Sequence, residues 1–364
     1  MRPSLPTLRA GLRNLLLLTA CALASLAQAA PFAYIPNLSS NNVSVIDLAS
    51  NAVTTTVPVG NSPYGAAVNP AGTRAYVTNA DSNTVSVIDL ATNTVTTTVP
   101  VGFFPHGVVV NPAGTRAYVT NNGTNTVSVI DLASNTVTAT VTVGFFPHGV
   151  AVNPAGTHAY VVNNGTSTVS VIDLATNTVT ATVPVGVDPI GVAVNPAGTR
   201  AYVTNSNSGT VSVIDLATNT VTATVTVGAI AFGVAVNPAG TRAYVVNSNS
   251  GTVSVIDLAS NTVTATVPVG FFPYGVAVNP AGTRAYVANN GTNNVSVIDL
   301  ATNTVTATVP VGANPVALGL FIGGPGLAAP AAVPSLQAWA LLLLAATLGG
   351  LALSRLRTAQ RHRS

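Results

Sequence analysis

The sequence contains no lysine and no glutamate, and it has only one cysteine and four histidines in 364 residues. These four residue types supply most general acids, general bases and nucleophiles, so few candidates for catalysis are available. The single Cys21 cannot form a disulfide within the chain. We expect a protein that is not an enzyme, with no catalytic residue, no metal site and no cofactor.

The charged residues are unevenly distributed. Seven of the 12 arginines lie near the two ends of the chain, whereas the region between them has five arginines and nine aspartates. The formal charge of +3 therefore comes from the ends, and the central region is negative. Binding of nucleic acid needs a basic face on the folded domain, so we expect none.

The central region is a repeat. The hexamer VSVIDL begins at Val43 and recurs every 42 residues as far as Val295, in seven copies. The tetramer NPAG keeps the same step from Asn69 to Asn279, in six copies. A period of about 40–45 residues containing four short β-runs is typical of the blade of a β-propeller.

Each unit has four predicted strands, A to D, with sequences close to GVAV, AYVTN, TVSVIDL and TVTATVPV. Valine, isoleucine, threonine and tyrosine fill these runs, and glycine, proline, asparagine and aspartate separate them. Strands A to C are apolar or small on both faces, which predicts a blade packed between two others. Proline in strand D predicts the outer edge, because proline lacks the N–H of a central strand.

The two ends of the repeat region complete one blade. The chain enters at strand B, Ala33–Asn37, and after the last strand D it offers one more strand A at Leu318–Phe321. We therefore predict an all-β, seven-bladed propeller of four-stranded antiparallel blades over residues 30–322. The C-terminal strand completes the first blade and closes the ring.

Residues 1–29 are predicted to be a signal peptide. An apolar run, Leu15–Leu26, follows a basic start and ends at the small-residue site Ala27–Ala29. This pattern indicates export through the Sec pathway and cleavage by signal peptidase. A lipoprotein signal is the alternative, because Leu18–Cys21 resembles a lipobox.

The C-terminal end predicts a second membrane segment. Residues 323–332 form a linker rich in glycine, alanine and proline, and residues 336–353 are apolar over about the length that spans a bilayer. The arginines that follow are Arg355, Arg357, Arg361 and Arg363. Basic residues stay on the cytoplasmic side, so the propeller is expected on the periplasmic side of the inner membrane.

Two family resemblances follow from these motifs. The units, in which AYVTN precedes TVSVIDL, resemble the YVTN family of β-propeller repeats found in secreted and cell-surface proteins. Residues 333–364 resemble an IPTL-CTERM sorting signal, whose pattern is I-P-T-L-x-x-W-G. The positions that carry this second resemblance are Val333, Pro334, Ser335, Leu336 and Trp339. The chain departs from the pattern conservatively at Val333, Ser335 and Ala340.

The second resemblance implies a Gram-negative host with an exosortase-type enzyme. That enzyme would cut near the motif and release the protein or transfer it to the cell surface. Membrane anchoring by the C-terminal helix would then be transient.

The loops predict two unlike faces. The A–B loops (NPAGT) and C–D loops (DLATN or DLASN) hardly change between units, whereas the D–A and B–C loops vary. Because variable loops on a rigid scaffold often carry binding, we predict a protein or glycan ligand at that face, with neutral drift as the alternative. The candidate residues are Tyr64, Phe103, Phe104, His106, Phe145, Phe146, His148, Asp188, Phe232, Phe271, Phe272 and Tyr274.

His106 and His148 occupy the same position in neighbouring units. A metal site needs further ligands that converge on one point, and equivalent positions on adjacent blades are expected to be spread around a ring. Asp188 lies two positions out of phase with them. We therefore predict no metal site here.

Arginine at the start of strand B and aspartate at the end of strand C are expected to face each other across the blade. Such pairs stabilise the fold and do not catalyse a reaction. The predicted pairs are Arg74–Asp89, Arg116–Asp131, Arg200–Asp215, Arg242–Asp257 and Arg284–Asp299, with His158–Asp173 in place of a sixth.

These features together favour an exported binding or structural module. Lactonase-like hydrolases and cofactor-dependent oxidoreductases share the predicted fold, so an enzyme is the first alternative. Self-assembly into a surface layer through the threonine-rich D edges is the second.

Overall fold

The structure, a computed structural model, describes residues 31–323. The predicted signal peptide, the predicted membrane helix at 336–353 and the sorting motif lie outside the described residues. Within residues 31–323, no helix is long and apolar enough to cross a bilayer.

The described residues form seven four-stranded antiparallel sheets, each of which is one blade. Strands A are β4 (Pro63–Val68), β8 (Pro105–Val110), β12 (Pro147–Val152), β16 (Pro189–Val194), β20 (Ala231–Val236) and β24 (Pro273–Val278). Strands B are β1 (Phe32–Asn37), β5 (Arg74–Asn79), β9 (Arg116–Asn121), β13 (His158–Asn163), β17 (Arg200–Asn205), β21 (Arg242–Asn247) and β25 (Arg284–Asn289).

Strands C and D complete the sheets. Strands C are β2 (Asn42–Asp47), β6 (Thr84–Asp89), β10 (Thr126–Asp131), β14 (Thr168–Asp173), β18 (Thr210–Asp215), β22 (Thr252–Asp257) and β26 (Asn294–Asp299). Strands D are β3 (Ala52–Pro58), β7 (Thr94–Pro100), β11 (Thr136–Thr142), β15 (Thr178–Pro184), β19 (Thr220–Thr226), β23 (Thr262–Pro268) and β27 (Thr304–Pro310). The last strand, β28 (Ile322–Gly323), lies beside β1, and a turn of 3-10 helix spans Asn164–Thr166. Blade 1 contains β28 and β1–β3, and blades 2 to 7 each take the next four strands, which confirms the predicted seven-bladed propeller.

The hydrophobic core lies between the blades. Strands B and C are buried on both faces, and one cluster joins Tyr76, Val85 and Val87 of blade 2 to Val108 and Val119 of blade 3. Burial of each such side chain contributes about 1.5–3 kcal/mol. Strands A pack against each other around the axis of the ring, and the D strands expose alternate residues at its rim, as the proline pattern predicts.

The closing strand confirms the prediction in kind but not in register. In blade 7, Val278 pairs with Ala285, so the 42-residue step predicts that Leu320 pairs with Ala33. The structure instead pairs Ile322 of β28 with Ala33, so the predicted strand, Leu318–Phe321, is two residues out of register. The carbonyls of Leu318 and Leu320 instead accept hydrogen bonds from the N–H groups of Ala66 and Val68 in blade 2, at 3.1 Å each.

The cause of this shift is a bulge in the closing segment. Gly319 has a φ of +118°, which turns the chain towards blade 2 before it returns to β1. The return buries Phe321 completely in the core cluster around blade 1. The segment therefore fastens blade 1 and blade 2 together, in addition to completing blade 1.

The unchanging loops are held by their own side chains. Oδ1 of Asp89 accepts hydrogen bonds from the N–H groups of Ala91 and Thr92, at 3.0 Å each. These bonds, of which the Thr92 N–H contributes most, lower the pKa of Asp89. In the A–B loop, Oδ1 of Asn69 accepts from the N–H groups of Thr73 and Arg74, at 2.9 Å each. Loop conservation on this face thus has a local structural reason.

The arginines stand where predicted, but they make a different contact. Arg74 is the register partner of Asp89, yet its guanidinium donates to the carbonyl oxygen of Leu132 in the next blade, at 3.4 Å. The charge of Arg74 is the smallest of the influences on the Asp89 pKa, after the turn hydrogen bonds and burial. The arginines therefore link neighbouring blades more than they pair within a blade. The same bond recurs from Arg116, Arg200, Arg242 and Arg284.

Candidate binding face

Consecutive antiparallel strands place the loops alternately at the two ends of each blade. We call the end with the D–A and B–C loops the variable face, and the end with the A–B and C–D loops the constant face. The structure therefore sorts the loops as the sequence predicts.

Three phenylalanine pairs are the largest exposed apolar groups of the variable face, where Val187 and Ile230 are also exposed. We call Phe103–Phe104, Phe145–Phe146 and Phe271–Phe272 the Phe pairs; they occupy the D–A loops that lead into blades 3, 4 and 7. The first ring of each pair is 60%, 59% and 72% exposed, respectively, and the second is about half exposed. Solvated rings of this size are far from the usual buried state of phenylalanine.

Hydrogen bonds hold the backbone of the Phe pairs, as Phe103–Phe104 shows. Phe104 has a φ of +50°, which is unusual for a residue with a side chain. The N–H groups of Asn122 and Gly123, in the B–C loop of the same blade, donate to the carbonyls of Phe104 and Phe103, at 2.9 Å each. The N–H of Phe104 donates to Oδ1 of Asn83 in the preceding blade, at 3.0 Å. The left-handed turns at Phe104 and Phe146 are thus held by hydrogen bonds from two blades, whereas Gly251 takes the position of Asn83 before the third pair.

The Phe pairs vary together with the loops that face them. Each of the three blades that follows a Phe pair has Asn-Gly at the start of its B–C loop, at Asn122–Gly123, Asn164–Gly165 and Asn290–Gly291. The glycine favours this arrangement, because a β-carbon on Gly123 would lie 3.0 Å from Cδ2 of Phe104 and the ring would have to shift. Blades 2, 5 and 6 have neither the phenylalanines nor this Asn-Gly. Independent drift of each loop does not explain this joint change.

The positions of the pairs in the ring are also informative. Blades 3 and 4 are neighbours, and in a seven-membered ring blade 7 lies opposite the seam between them. The pairs therefore flank the axis from two sides. A partner that spans the axis could contact all three.

The other predicted aromatics form a second, inner group. Tyr64, Phe232 and Tyr274 follow the first residue of strand A, the innermost strand of each blade, and they are half-buried there. Tyr64 stacks on His106 with ring centroids 4.2 Å apart, and Phe232 lies 4.4 Å from Tyr274. We call the residues at this position the axial ring: Tyr64, His106, His148, Ile190, Phe232, Tyr274 and Val316.

Sequence reasoning did not recognise the axial ring as one layer. Its signal was present, because the members from Tyr64 to Tyr274 stand directly after the residue that opens strand A, and Val316 continues the same 42-residue step. A glycine follows most members, and a β-carbon on Gly149 would lie 2.6 Å from the Ile190 carbonyl oxygen. The inner strands can approach so closely only because these positions lack a side chain.

Close approach brings the two predicted histidines together. The Nδ1 atoms of His106 and His148 are 3.2 Å apart, so the expectation that equivalent positions on adjacent blades lie far apart was wrong. Burial lowers the pKa of His106 to about 4. Burial, with a smaller contribution from His106, lowers the pKa of His148 to about 3. Both imidazoles are therefore neutral at pH 7.

Asp188 is separate from this pair. It lies in the D–A loop before blade 5, and its carbonyl oxygen accepts a hydrogen bond from the N–H of Ser206 at 2.9 Å. Within residues 31–323, no three histidine, cysteine or acidic side chains come together as a group that could hold a metal ion. A metal at His106 and His148 would have two protein ligands.

A groove of about 490 Å³ lies on the constant face between blades 3 and 4, where Arg116, Asp131 and Asp173 line it. Its other lining residues are Tyr118 of the repeated strand B and residues of the NPAGT and DLATN motifs, all of which recur around the ring. The groove therefore follows from the repeat, and nothing distinguishes it as a site.

Comparison with known proteins supports the fold. Residues 70–156 match a family profile described as a YNCE-like beta-propeller, and residues 147–310 match one described as a lactonase, 7-bladed beta-propeller. No curated protein matches the chain. Each family profile covers less than half of the chain.

Two solved structures resemble the fold at low identity. Hydrazine synthase of Kuenenia stuttgartiensis is 24% identical with a TM-score of 0.67, covering 77% of this chain and 98% of that one. A functionally unknown protein from Desulfotomaculum acetoxidans DSM 771 is 15% identical with a TM-score of 0.69, covering 79% and 99%. Identities this low support a shared fold and do not indicate a shared activity. The chain is thus a β-propeller repeat protein whose seven four-stranded blades are closed by its own C-terminal strand.

Proposed function

We propose that the protein is a binding module that recognises a protein partner through the three Phe pairs of the variable face. The observation that carries this proposal is the joint occurrence of each exposed pair with the Asn-Gly loop that fits it. Exposed aromatic rings held in a fixed conformation lose little entropy on binding, and such residues dominate binding energies. Burial of one phenylalanine ring contributes about 1.5–3 kcal/mol.

A protein partner fits the chemistry better than a glycan. The Asn164 side chain beside the second Phe pair is already engaged, since its Nδ2 donates to the Pro189 carbonyl at 3.4 Å. Sites for small polar ligands combine apolar walls with several convergent polar groups. An apolar segment of another protein needs only the rings and their shape.

The proposed site of action is the cell surface or the surrounding medium. Support comes from the predicted signal peptide at 1–29, the resemblance of the repeats to the YVTN family, and the IPTL-CTERM-like tail. In this proposal, signal peptidase removes the N-terminal segment and an exosortase-type enzyme cuts near Val333. Intact-mass analysis of the exported protein tests both steps.

The test of binding uses the immobilised protein with envelope extracts of the producing organism and, separately, with a glycan array. The triple variant Phe103→Ala, Phe145→Ala and Phe271→Ala is expected to lose the bound protein. The matched control is Val179→Ala, because Val179 is an exposed apolar residue of strand D. Equal capture of the protein by the triple variant would refute the role of the Phe pairs. Selective capture of a glycan would show that the partner is a glycan and not a protein.

A lactonase-like activity is the second candidate, because the lactonase profile matches residues 147–310. A panel of lactones incubated with the purified protein tests it directly. Hydrolysis above background that survives the triple phenylalanine variant would place a reaction elsewhere on the propeller. Electron microscopy of the cell surface tests the remaining alternative, a surface layer formed through the D edges.

A further inference from the structure

The His106–His148 pair has the geometry of a metal chelate. Their Nδ1 atoms are 3.2 Å apart, and two nitrogen ligands at about 2.0–2.1 Å from one metal would then subtend an angle of roughly 100°. That value lies between the angles of square-planar and tetrahedral coordination. We propose that these two imidazoles chelate one divalent transition-metal ion at the axis of the ring, a site that is independent of the Phe pairs.

The pair is held in place by its neighbours. Thr78 donates its hydroxyl to the His106 carbonyl at 2.7 Å, and Thr120 donates to the His148 carbonyl at 2.6 Å. Tyr64 stacks on the outer side of His106, with the two ring planes within 12° of parallel. Ligands fixed in this way lose little freedom when a metal binds, which favours a site with only two protein donors.

The protons balance without a charged ring. In the metal-free state the short Nδ1–Nδ1 distance requires one Nδ1–H that donates to the other Nδ1, so the rings are opposite tautomers. Metal binding needs both Nδ1 lone pairs, and the donating ring then carries its proton on Nε2 instead. The pair needs no net loss of a proton, because each neutral imidazole keeps one N–H, on Nε2, when its Nδ1 lone pair binds the metal. Water completes the coordination sphere.

Ligand type selects the metal. Imidazole nitrogen suits copper, nickel and zinc, whereas calcium and magnesium require oxygen ligands. Affinity for a given nitrogen site is greatest for Cu²⁺ among the divalent first-row ions. We therefore expect the order Cu²⁺ above Ni²⁺ and Zn²⁺, with no binding of Ca²⁺.

The chain contains its own matched control for this geometry. Phe232 and Tyr274 occupy the same two positions on blades 6 and 7, with ring centroids 4.4 Å apart and planes at 46°. The corresponding values for His106 and His148 are 4.5 Å and 50°. The double variant His106→Phe/His148→Tyr therefore copies a pair that the fold already accommodates.

The experiment is equilibrium dialysis of the purified full-length protein, carrying an affinity tag without histidine, against Cu²⁺, Zn²⁺ or Ca²⁺. We expect one Cu²⁺ per chain, and at least a tenfold loss of affinity in the His106→Phe/His148→Tyr variant. The variant His158→Gln/His362→Gln, which removes the other two histidines, should keep the full affinity. Electron paramagnetic resonance of bound Cu²⁺ should show coupling to two nitrogen nuclei.

A gain of binding tests the geometry independently. The variant Phe232→His/Tyr274→His should bind a second Cu²⁺ ion, provided that circular dichroism shows the wild-type fold. Unchanged affinity in the His106→Phe/His148→Tyr variant would overturn the proposal. So would a folded Phe232→His/Tyr274→His protein that still binds one ion, because the spacing would then be insufficient for chelation.

Discussion

Phe146 lies so close to Gly165 that a β-carbon on this glycine would stand 2.5 Å from Cδ2 of the ring. The glycine N–H also donates to the carbonyl of Phe145 at 3.0 Å. One residue of the B–C loop therefore supports both members of a Phe pair. This relationship ties the conformation of a Phe pair to the B–C loop beside it on the variable face.

The first prediction follows from that contact. Gly165→Ala should displace the Phe145–Phe146 turn and destabilise the protein by up to about 1 kcal/mol, because Gly165 is exposed and the half-exposed ring can partly move away. The measurement is the midpoint of chemical unfolding, with amide exchange of the D–A loop as a local probe. Asn207→Ala is the control, because Asn207 occupies the same position in blade 5 and is exposed. Equal midpoints for both variants would show that the glycine is not needed for space.

The second prediction concerns the seam between blades 4 and 5. His158 stands where five other blades have arginine, and Leu216, whose carbonyl the arginine would reach, is half-buried. The equivalent Leu174 and Leu258 are both 5% exposed. His158→Arg should restore the interblade hydrogen bond and stabilise the fold by about 0.5–1 kcal/mol.

The unfolding midpoint of His158→Arg measures this gain. The reverse change, Arg200→His, should lower the midpoint by a similar amount, because it removes the bond to Leu258 at 3.4 Å. If neither variant moves the midpoint, the arginines do not link the blades energetically.

The third prediction is a dependence of stability on pH. The pKa of Asp89 is lowered in the folded protein, mainly by hydrogen bonds from turn N–H groups, and the same holds for five equivalent aspartates. A carboxyl with a lowered folded-state pKa contributes stability above its unfolded value of about 3.9, and that stability is lost as the pH falls through the folded value. Stability should therefore fall steeply below about pH 4.

The matching variant replaces those six aspartates by asparagine. It should be less stable than the wild type at pH 6, and the difference in melting temperature should disappear towards pH 2. Asp81→Asn serves as the control, because Asp81 lies in a B–C loop and not in a C–D turn. A constant difference across this range would contradict the assigned role of the carboxylates.

The fourth prediction tests the closing segment. Phe321 is completely buried, whereas its neighbour Leu320 is 63% exposed. Phe321→Ala should destabilise the protein by about 3–5 kcal/mol, the usual cost of truncating a buried aromatic ring. Leu320→Ala should change stability by no more than about 0.5 kcal/mol. If Phe321→Ala and Leu320→Ala lowered the free energy of unfolding equally, burial of Phe321 in the closing segment would not stabilise the propeller.

The fold could be predicted closely because the same pattern of strands and loops recurs every 42 residues, in seven copies. The closing strand could not be placed to the residue. Alignment by the period assumes unchanged pairing, but the left-handed Gly319 and the burial of Phe321 introduce a two-residue shift. These are tertiary effects that a single segment does not reveal.

The candidate site was only half predictable. Variation among the loops located the face, and comparison of the repeats could also have revealed the joint change of Phe103–Phe104 and Asn122–Gly123. The closeness of His106 to His148 could not be read from spacing, because it depends on how near the inner strands approach the axis. That distance is set by packing across all seven blades.

The most direct test of the variable face as a binding surface is photo-crosslinking in the producing organism. A photoreactive phenylalanine analogue is placed singly at Phe103, Phe145 or Phe271, and in control proteins at the exposed Ala133, Ala175 or Ala217 of the constant face. We expect one and the same protein adduct from the three phenylalanine positions and none from the three alanines. Adducts of equal yield from both faces, or from the constant face alone, would contradict the account.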